Sequence, residues 1–220
     1  MERVKMKPLA MTFWLSALLL LSAPLTPEAA NKYWDSITPG LWHDGANWNP
    51  AGEPVAGDHA YITNGGTAQI TESGEVADYL TLGESALQSG NVDMTSGSLT
   101  TSREDIGDGG TGTFTQTGGI HSVTGGQIWI GLNTDSSGAY ALSDTGSLSA
   151  DYEYVGHLGS GIFTQTGGVN ALTNQLFVGH GGGGSGTYEL SGTGSLSAVD
   201  EYIGYWGTGA FTQTGGGELP

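Results

Sequence analysis

Cysteine is absent from the 220 residues of this chain. Disulfide bonds, thiolate metal sites and cysteine nucleophiles are therefore excluded. The stability of the fold has to come from packing and hydrogen bonding alone.

Basic residues are also scarce: 5 lysines and arginines face 22 aspartates and glutamates, for a net charge of −17. Arg3, Lys5 and Lys7 stand near the amino terminus, so only Lys32 and Arg103 lie in the rest of the chain. So acidic a surface repels phosphate and argues against nucleic acid as a partner. The acidity favours solubility outside the cell. Weak Ca²⁺ binding by surface carboxylates is the sharper alternative, and no other cofactor is expected.

Long apolar runs are limited to one, Leu9–Leu21, which follows the first basic residues and precedes small residues. This order predicts a signal peptide over residues 1–30, cleaved near Ala29 or Ala30. The alternative is an uncleaved membrane anchor, although the run is shorter than the roughly 20 residues that span a bilayer. The sequence thus predicts a protein that is secreted or exposed on the cell surface, with no transmembrane segment after cleavage.

Helical periodicity is missing after the leader, and the 40 glycines recur at regular intervals. The segment Phe114–Gly119 (Phe-Thr-Gln-Thr-Gly-Gly) recurs at Phe163–Gly168 and again, at nearly the same interval, at Phe211–Gly216. Between these copies, Tyr140–Ala150 is matched by Tyr188–Ala198, and the same interval separates the two. Internal repeats with so constant a period predict a solenoid.

Both repeat types end in an aliphatic residue followed by glycine, and these glycines are almost evenly spaced. The pairs are Leu82-Gly83, Ile106-Gly107, Ile130-Gly131, Val155-Gly156, Val178-Gly179 and Ile203-Gly204. The unit is therefore one coil of about 24 residues, with two coil types in alternation. Three short β-segments per coil predict an all-β fold, a right-handed parallel β-helix. Gln116, Gln165 and Gln213 stand where the alternate coils have leucine, and inward-facing glutamines need hydrogen-bond partners.

The predicted solenoid occupies residues 76–220. Residues 31–75 depart from the repeat and contain Trp34, Trp42 and Trp48, which predicts an amino-terminal cap or an irregular first coil. The chain stops just after another Phe-Thr-Gln-Thr-Gly-Gly copy. We therefore expect an array that is cut at its carboxyl-terminal end.

The repeats Gly112–Gly119 and Gly186–Leu196 resemble the β-strand repeats of bacterial surface proteins, including autotransporter passengers. The spacing of Tyr33-Trp34-Asp35, Gly40-Leu41-Trp42, Asn47-Trp48 and Gly57-Asp58 resembles the start of such mature chains. The resemblance covers roughly residues 33–216 and implies a passenger-like β-helix that is secreted or lies on the cell surface or outer membrane of a bacterium. Such repeats serve as stalks, adhesins and enzyme scaffolds alike.

Two groups of polar residues suggest chemistry without establishing it. Arg103, Glu104, Asp105 and Asp108 are neighbours in sequence, and paired carboxylates act as acid and base or hold Ca²⁺ on polysaccharide-cleaving enzymes. The adjoining coils have Leu80, Thr81, Ile128 and Trp129 at the corresponding places, so we expect no catalytic residues. His157 and His180 follow the glycine of neighbouring coils, but other coils put unrelated residues at that place, which favours a variable turn position over a metal site.

The residue before each aliphatic-glycine pair is aromatic in four successive coils: Trp129, Tyr154, Phe177 and Tyr202. Alternation along a strand places these rings outward, as a ladder up one face. The ladder is the candidate ligand-binding site, for a polysaccharide or another surface protein. Alternatively, the rings stack on each other and hold the coils in register. We expect a non-enzymatic stalk or adhesin-like segment, with a fragment of a polysaccharide-active β-helix enzyme as the alternative.

Overall fold

The computed structural model describes residues 28–218, so the predicted leader lies almost wholly outside the described residues. The chain is 57% strand and 2% helix, and its parallel coils of about 24 residues stack into a β-solenoid of about eight turns. The prediction of an all-β parallel solenoid is confirmed. At a strand spacing of about 4.8 Å, eight turns make a rod roughly 40 Å long.

Two sheets run along the rod and enclose the core between them, and their strands pair in parallel except for one antiparallel pair at the amino-terminal end. The first sheet contains β1 (Asn31–Trp34), β3 (Trp48–Asn49), β4 (His59–Ile62), β6 (Glu75–Val76), β7 (Tyr79–Leu82), β9 (Ser98–Ile106), β11 (Ile120–Ile130), β13 (Ser147–Val155), β15 (Val169–Val178), β17 (Ser195–Ser197), β18 (Asp200–Ile203) and β20 (Gly217–Glu218). The second sheet contains β2 (Gly40–Leu41), β5 (Asn64–Ile70), β8 (Ser89–Met94), β10 (Thr111–Gln116), β12 (Ser137–Leu142), β14 (Ser160–Gln165), β16 (Ser185–Leu190) and β19 (Thr208–Gln213). A short 3₁₀ helix covers Gly45–Asn47.

The prediction of three separate segments per coil needs a correction in the middle of the array. There the second and third segments form one strand, such as β11, whose pairing register shifts between Ser122 and Gln127. The segments are separate only in the coils near each end, as β6 and β7 or as β17 and β18. Parallel pairing continues on both sides of the corner, so the chain crosses it through a bulge.

The second sheet places one aromatic ring per coil in the core. Phe114, Tyr140, Phe163 and Tyr188 are register partners and are almost completely buried. Their centroids are 4.7–4.9 Å apart, with ring planes within 4° of parallel. Because the strand spacing equals the preferred stacking distance, identical placement in each coil produces a continuous buried stack.

The glycine that ends each coil is required by backbone geometry. Gly156 has a φ of +73°, in the left-handed region that side chains disfavour. A Cβ there would also overlap the carbonyl oxygen of Ser185 in the next coil. Both constraints recur at Gly131 and Gly179, which explains why the aliphatic-glycine pair recurs.

At the amino-terminal end, three tryptophans fill the core. Trp34, Trp42 and Trp48 are at most 3% exposed and pack edge to face at 4.9–5.0 Å. The Trp48 indole Nε1 donates to the carbonyl of Trp42 at 2.7 Å. β1 and β4 already pair in parallel below β7, so part of the predicted cap belongs to the stack itself.

Candidate functional site

The predicted aromatic ladder is a continuous stack on the outer face of the first sheet. Trp129, Tyr154, Phe177 and Tyr202 are register partners in neighbouring coils. Their successive ring centroids are 3.9, 4.8 and 5.0 Å apart, and neighbouring planes lie within 11° of parallel. The residues on either side of the first three rings are buried, so strand alternation turns the rings outward as the sequence predicts.

A second column of rings packs at right angles to the ladder. His157, His180 and Tyr205 stack on each other at 5.1 and 5.5 Å. They meet the ladder edge to face: His157 lies 4.6 Å from Trp129 at 77°, and His180 lies 4.8 Å from Phe177 at 80°. Burial lowers the pKa of His180, and His157 adds to the effect, so His180 is mainly neutral at pH 7. The two histidines thus complete an aromatic surface.

The inner rings of the ladder present their edges to solvent, not their faces. The inner rings, Tyr154 and Phe177, have a neighbour on both faces, and Phe177 is only 7% exposed. Burial also raises the pKa of the Tyr154 phenol. A sugar ring that stacks on an aromatic side chain needs a free face, so the geometry favours the role of holding the coils in register.

The four polar residues that are neighbours in sequence separate onto two sides of the strand. Glu104 points into the core and is fully buried. Arg103, Asp105 and Asp108 line the outer surface, where the Arg103 Nε donates to Asp105 at 2.9 Å. Burial raises the pKa of Asp105 to about 6, an effect that the Arg103 guanidinium opposes and the Asp108 carboxylate reinforces. Glu104, by contrast, has no access to an external substrate, because it is fully buried on the inner side of the strand.

Inside the core, Glu104 begins a hydrogen-bonded network that spans neighbouring coils. Its Oε1 lies 2.7 Å from Nε2 of His121 and accepts from the Thr101 hydroxyl. The other ring nitrogen of His121 lies 3.0 Å from the Tyr140 hydroxyl, which donates to Oε1 of Gln116 at 2.7 Å. The Gln116 amide donates to corner carbonyls. The glutamine therefore has the partners that an inward position demands.

A similar arrangement recurs two coils later, without the Thr101 hydroxyl, because Ala150 takes that place. Tyr188 donates to Oε1 of Gln165 at 2.7 Å, and Asn170 donates to both Glu153 and Tyr188. Asn170 stands where the first network has His121. Burial raises the pKa of Glu153 to about 8, and the Asn170 hydrogen bond only partly offsets it.

These networks give the two-coil alternation a physical cause. Each tyrosine hydroxyl donates a hydrogen bond to the glutamine of the preceding coil. Two coils of the same type stacked on each other would therefore leave these polar groups without partners. The sequence carried a signal for this, because Glu104, Glu153 and Glu201 recur at the same intervals as the two-coil repeat. Our sequence reasoning grouped Glu104 with its sequence neighbours and missed it.

The column of outward-facing positions that carries the ladder continues from Trp129 towards the amino-terminal end. Its next two positions, Asp105 and Thr81, have no aromatic ring. The register runs from Tyr61 through Thr81 and Asp105 to Trp129. Tyr61 stacks on Tyr33 at 5.0 Å, so the column has rings at both ends of the gap. A cavity of about 280 Å³ lies there, lined by His59, Tyr61, Tyr79, Thr81, Glu84, Arg103, Asp105 and Asp108.

Comparisons with protein families, curated proteins and solved structures found no match, so the resemblance to surface-protein repeats stays a prediction. In the part of the chain that the structure describes, no group of three or more histidines and carboxylates is placed to hold a metal ion. No helix within residues 28–218 is long and apolar enough to cross a membrane.

Proposed function

We propose that this chain is a non-enzymatic segment of a secreted or cell-surface bacterial protein, acting as a stalk or adhesin-like passenger. One observation carries the proposal: successive coils complete each other's buried hydrogen bonds, as Tyr140 does with Gln116 and Tyr188 with Gln165. Side chains that could take part in catalysis are thereby used to hold neighbouring coils together. A rod held this way resists bending and local opening, which is what a stalk requires.

The acidic surface supports the same proposal. The net charge of −17 keeps copies of the protein apart and in solution. Lys32, one of the few bases, is 8% exposed and donates to the carbonyls of Pro50, Ala51 and Gly52. Its role is structural, so little positive charge remains on the outside to attract anionic ligands.

Localisation and shape test the proposal together. The full chain should be produced in a Gram-negative bacterium, and intact cells should be treated with protease before fractionation. We expect the protein outside the inner membrane, and we expect small-angle scattering of the purified protein to fit a rod. Retention of the protein in the cytosol with an intact amino terminus would contradict the proposal.

The role of the ladder is tested by a matched pair of variants. Tyr154→Ala removes a ring stacked on both faces, whereas Tyr152→Ala removes a neighbouring tyrosine of the same strand for which no ring contact is found. We expect Tyr154→Ala to lower the free energy of unfolding by about 2 kcal/mol more than Tyr152→Ala, since two stacked contacts are lost. We expect glycan-array binding to stay unchanged. Glycan binding that Tyr154→Ala abolishes in a folded protein would instead assign the ladder to ligand recognition.

A polysaccharide-active enzyme remains the second candidate, and the raised pKa of Asp105 beside Arg103 is the observation that favours it. Incubation with uronic-acid polymers and Ca²⁺ tests it directly. Unsaturated or reducing-end products that disappear with Asp105→Asn would establish the enzyme, and their absence supports the stalk.

A further inference from the structure

The gap in the outer aromatic column has the features of a binding site. Two consecutive positions, Thr81 and Asp105, lack rings, while Tyr61 and Trp129 border the gap. Three strand spacings separate Tyr61 from Trp129, which is about 14 Å along the rod. A flat ring of the size of an aromatic side chain fits above Tyr61, at the level where the column omits one.

The two bordering rings are not equivalent. The guanidinium carbon of Arg103 lies 5.8 Å from the centroid of the Trp129 ring, and Asp105 holds that arginine through its Nε. Trp129 is therefore covered on the side of the gap. Tyr61 has Tyr33 on one face and only the short Thr81 next to it in the following coil. Of the two rings that border the gap, Tyr61 is therefore the one with a free face.

A hydroxyl without a protein partner faces the same cavity. The Thr81 residue is 7% exposed and lines the cavity. Among the described residues, no hydrogen bond reaches its side-chain hydroxyl. The Thr81 oxygen does not belong to the fully buried atoms that lack a partner, so it is accessible from the cavity, and a hydroxyl group of a ligand can bond to it in place of water.

The charges around the cavity determine which class of ligand it favours. Glu84, Asp105 and Asp108 line it against a single base, Arg103, which is already paired with Asp105. All three carboxylates contribute, after burial, to raising the pKa of the Tyr61 phenol, which shows that they converge on this ring. An anionic sugar is repelled here. A protonated amine is attracted both by the carboxylates and by the negative face of the aromatic ring.

We propose that this cavity binds a hexosamine unit with a free amine, stacked on Tyr61, hydrogen-bonded to Thr81 and ion-paired with Glu84 and Asp108. The sugar ring takes the place of the missing aromatic side chain and continues the outer column across the gap. Because the cavity does not involve the ladder from Trp129 to Tyr202, this site goes beyond the proposed stalk function and stands or falls independently of it.

Titration of the full chain with D-glucosamine, followed by NMR, tests the site, with D-glucose, N-acetylglucosamine and D-glucuronate as comparisons. We expect a Kd on the order of 1 mM for glucosamine, as a single sugar ring makes few contacts. Glucose and N-acetylglucosamine should bind about tenfold more weakly because they lack the ammonium group. Glucuronate should not bind. Equal affinity for glucose and glucosamine, or no binding of glucosamine at a low salt concentration of roughly 10 mM, would overturn the proposal.

Two variants separate the site from the fold. Thr81→Tyr supplies the missing ring, so we expect it to abolish glucosamine binding while the thermal midpoint stays the same or rises. Glu84 is exposed, so Glu84→Gln removes one charge without touching the column, and it should weaken binding about threefold. Binding that survives Thr81→Tyr in a folded protein contradicts this location.

Discussion

Replacing Glu153 by glutamine should stabilise the protein in alkaline solution and leave its stability unchanged in acid. Glu153 is fully buried, and its Oε2 accepts a hydrogen bond of 3.0 Å from the Asn170 amide. Its Oε1 has no partner among the described residues. Burial therefore raises the pKa of Glu153 from 4.5 to about 8.

The direction of the pH dependence follows from this raised pKa. Between pH 4.5 and 8, the folded protein retains a proton on Glu153 that the unfolded chain releases. The free energy of unfolding therefore falls as the pH rises through this window. Each pH unit costs up to about 1.4 kcal/mol, so the whole window costs roughly 4 to 5 kcal/mol. Below pH 4.5 both states are protonated, and the loss disappears.

Urea denaturation from pH 4 to pH 9 measures the effect. Glutamine keeps the shape and stays neutral, so the stability difference between Glu153→Gln and the parent should be near zero at pH 4 and several kcal/mol at pH 9. Glu104→Gln is the matched control, because Glu104 has the His121 ring at 2.7 Å in place of Asn170. That variant replaces the carboxyl group that accepts from Thr101 and lies against His121 by an amide, and it should destabilise the protein by about 1–3 kcal/mol at pH 7. A stability difference for Glu153→Gln that does not change with pH would show that Glu153 keeps the same protonation state in the folded and unfolded protein.

Two further predictions concern the coil corners and the buried network. Gly156→Ala should destabilise the fold by more than about 3 kcal/mol in chemical denaturation, since its φ is +73° and a Cβ there overlaps the neighbouring coil. Gly182→Ala is the control: its Cβ meets nothing within 4 Å, so this variant should be nearly neutral. Tyr140→Phe leaves Gln116 and His121 without the tyrosine hydroxyl and should cost about 2–3 kcal/mol at pH 7, while the ring stack is preserved; an unchanged unfolding midpoint would show that water replaces the hydroxyl.

The solenoid, its coil length and its two-coil alternation can be predicted from the amino-acid sequence alone. Near-identical segments such as Phe114–Gly119 and Phe163–Gly168 recur because each coil faces the same neighbours above and below. The recurrent glycine at the end of each coil is dictated locally, by a left-handed backbone and by the close approach of the next coil. The outward direction of Trp129 and Tyr154 also follows from alternation along a strand.

The contacts that these residues make depend on how the coils stack in three dimensions. Strand alternation separates Glu104 from Asp105 although they are adjacent in sequence, so one joins a buried network and the other an outer cavity. Stacking at the strand spacing covers the faces of the ladder rings, which no single coil reveals. The cavity above Tyr61 exists because two register partners in later coils lack rings. Such features depend on which residues the coil-to-coil register places together, although those residues lie a full coil apart along the chain.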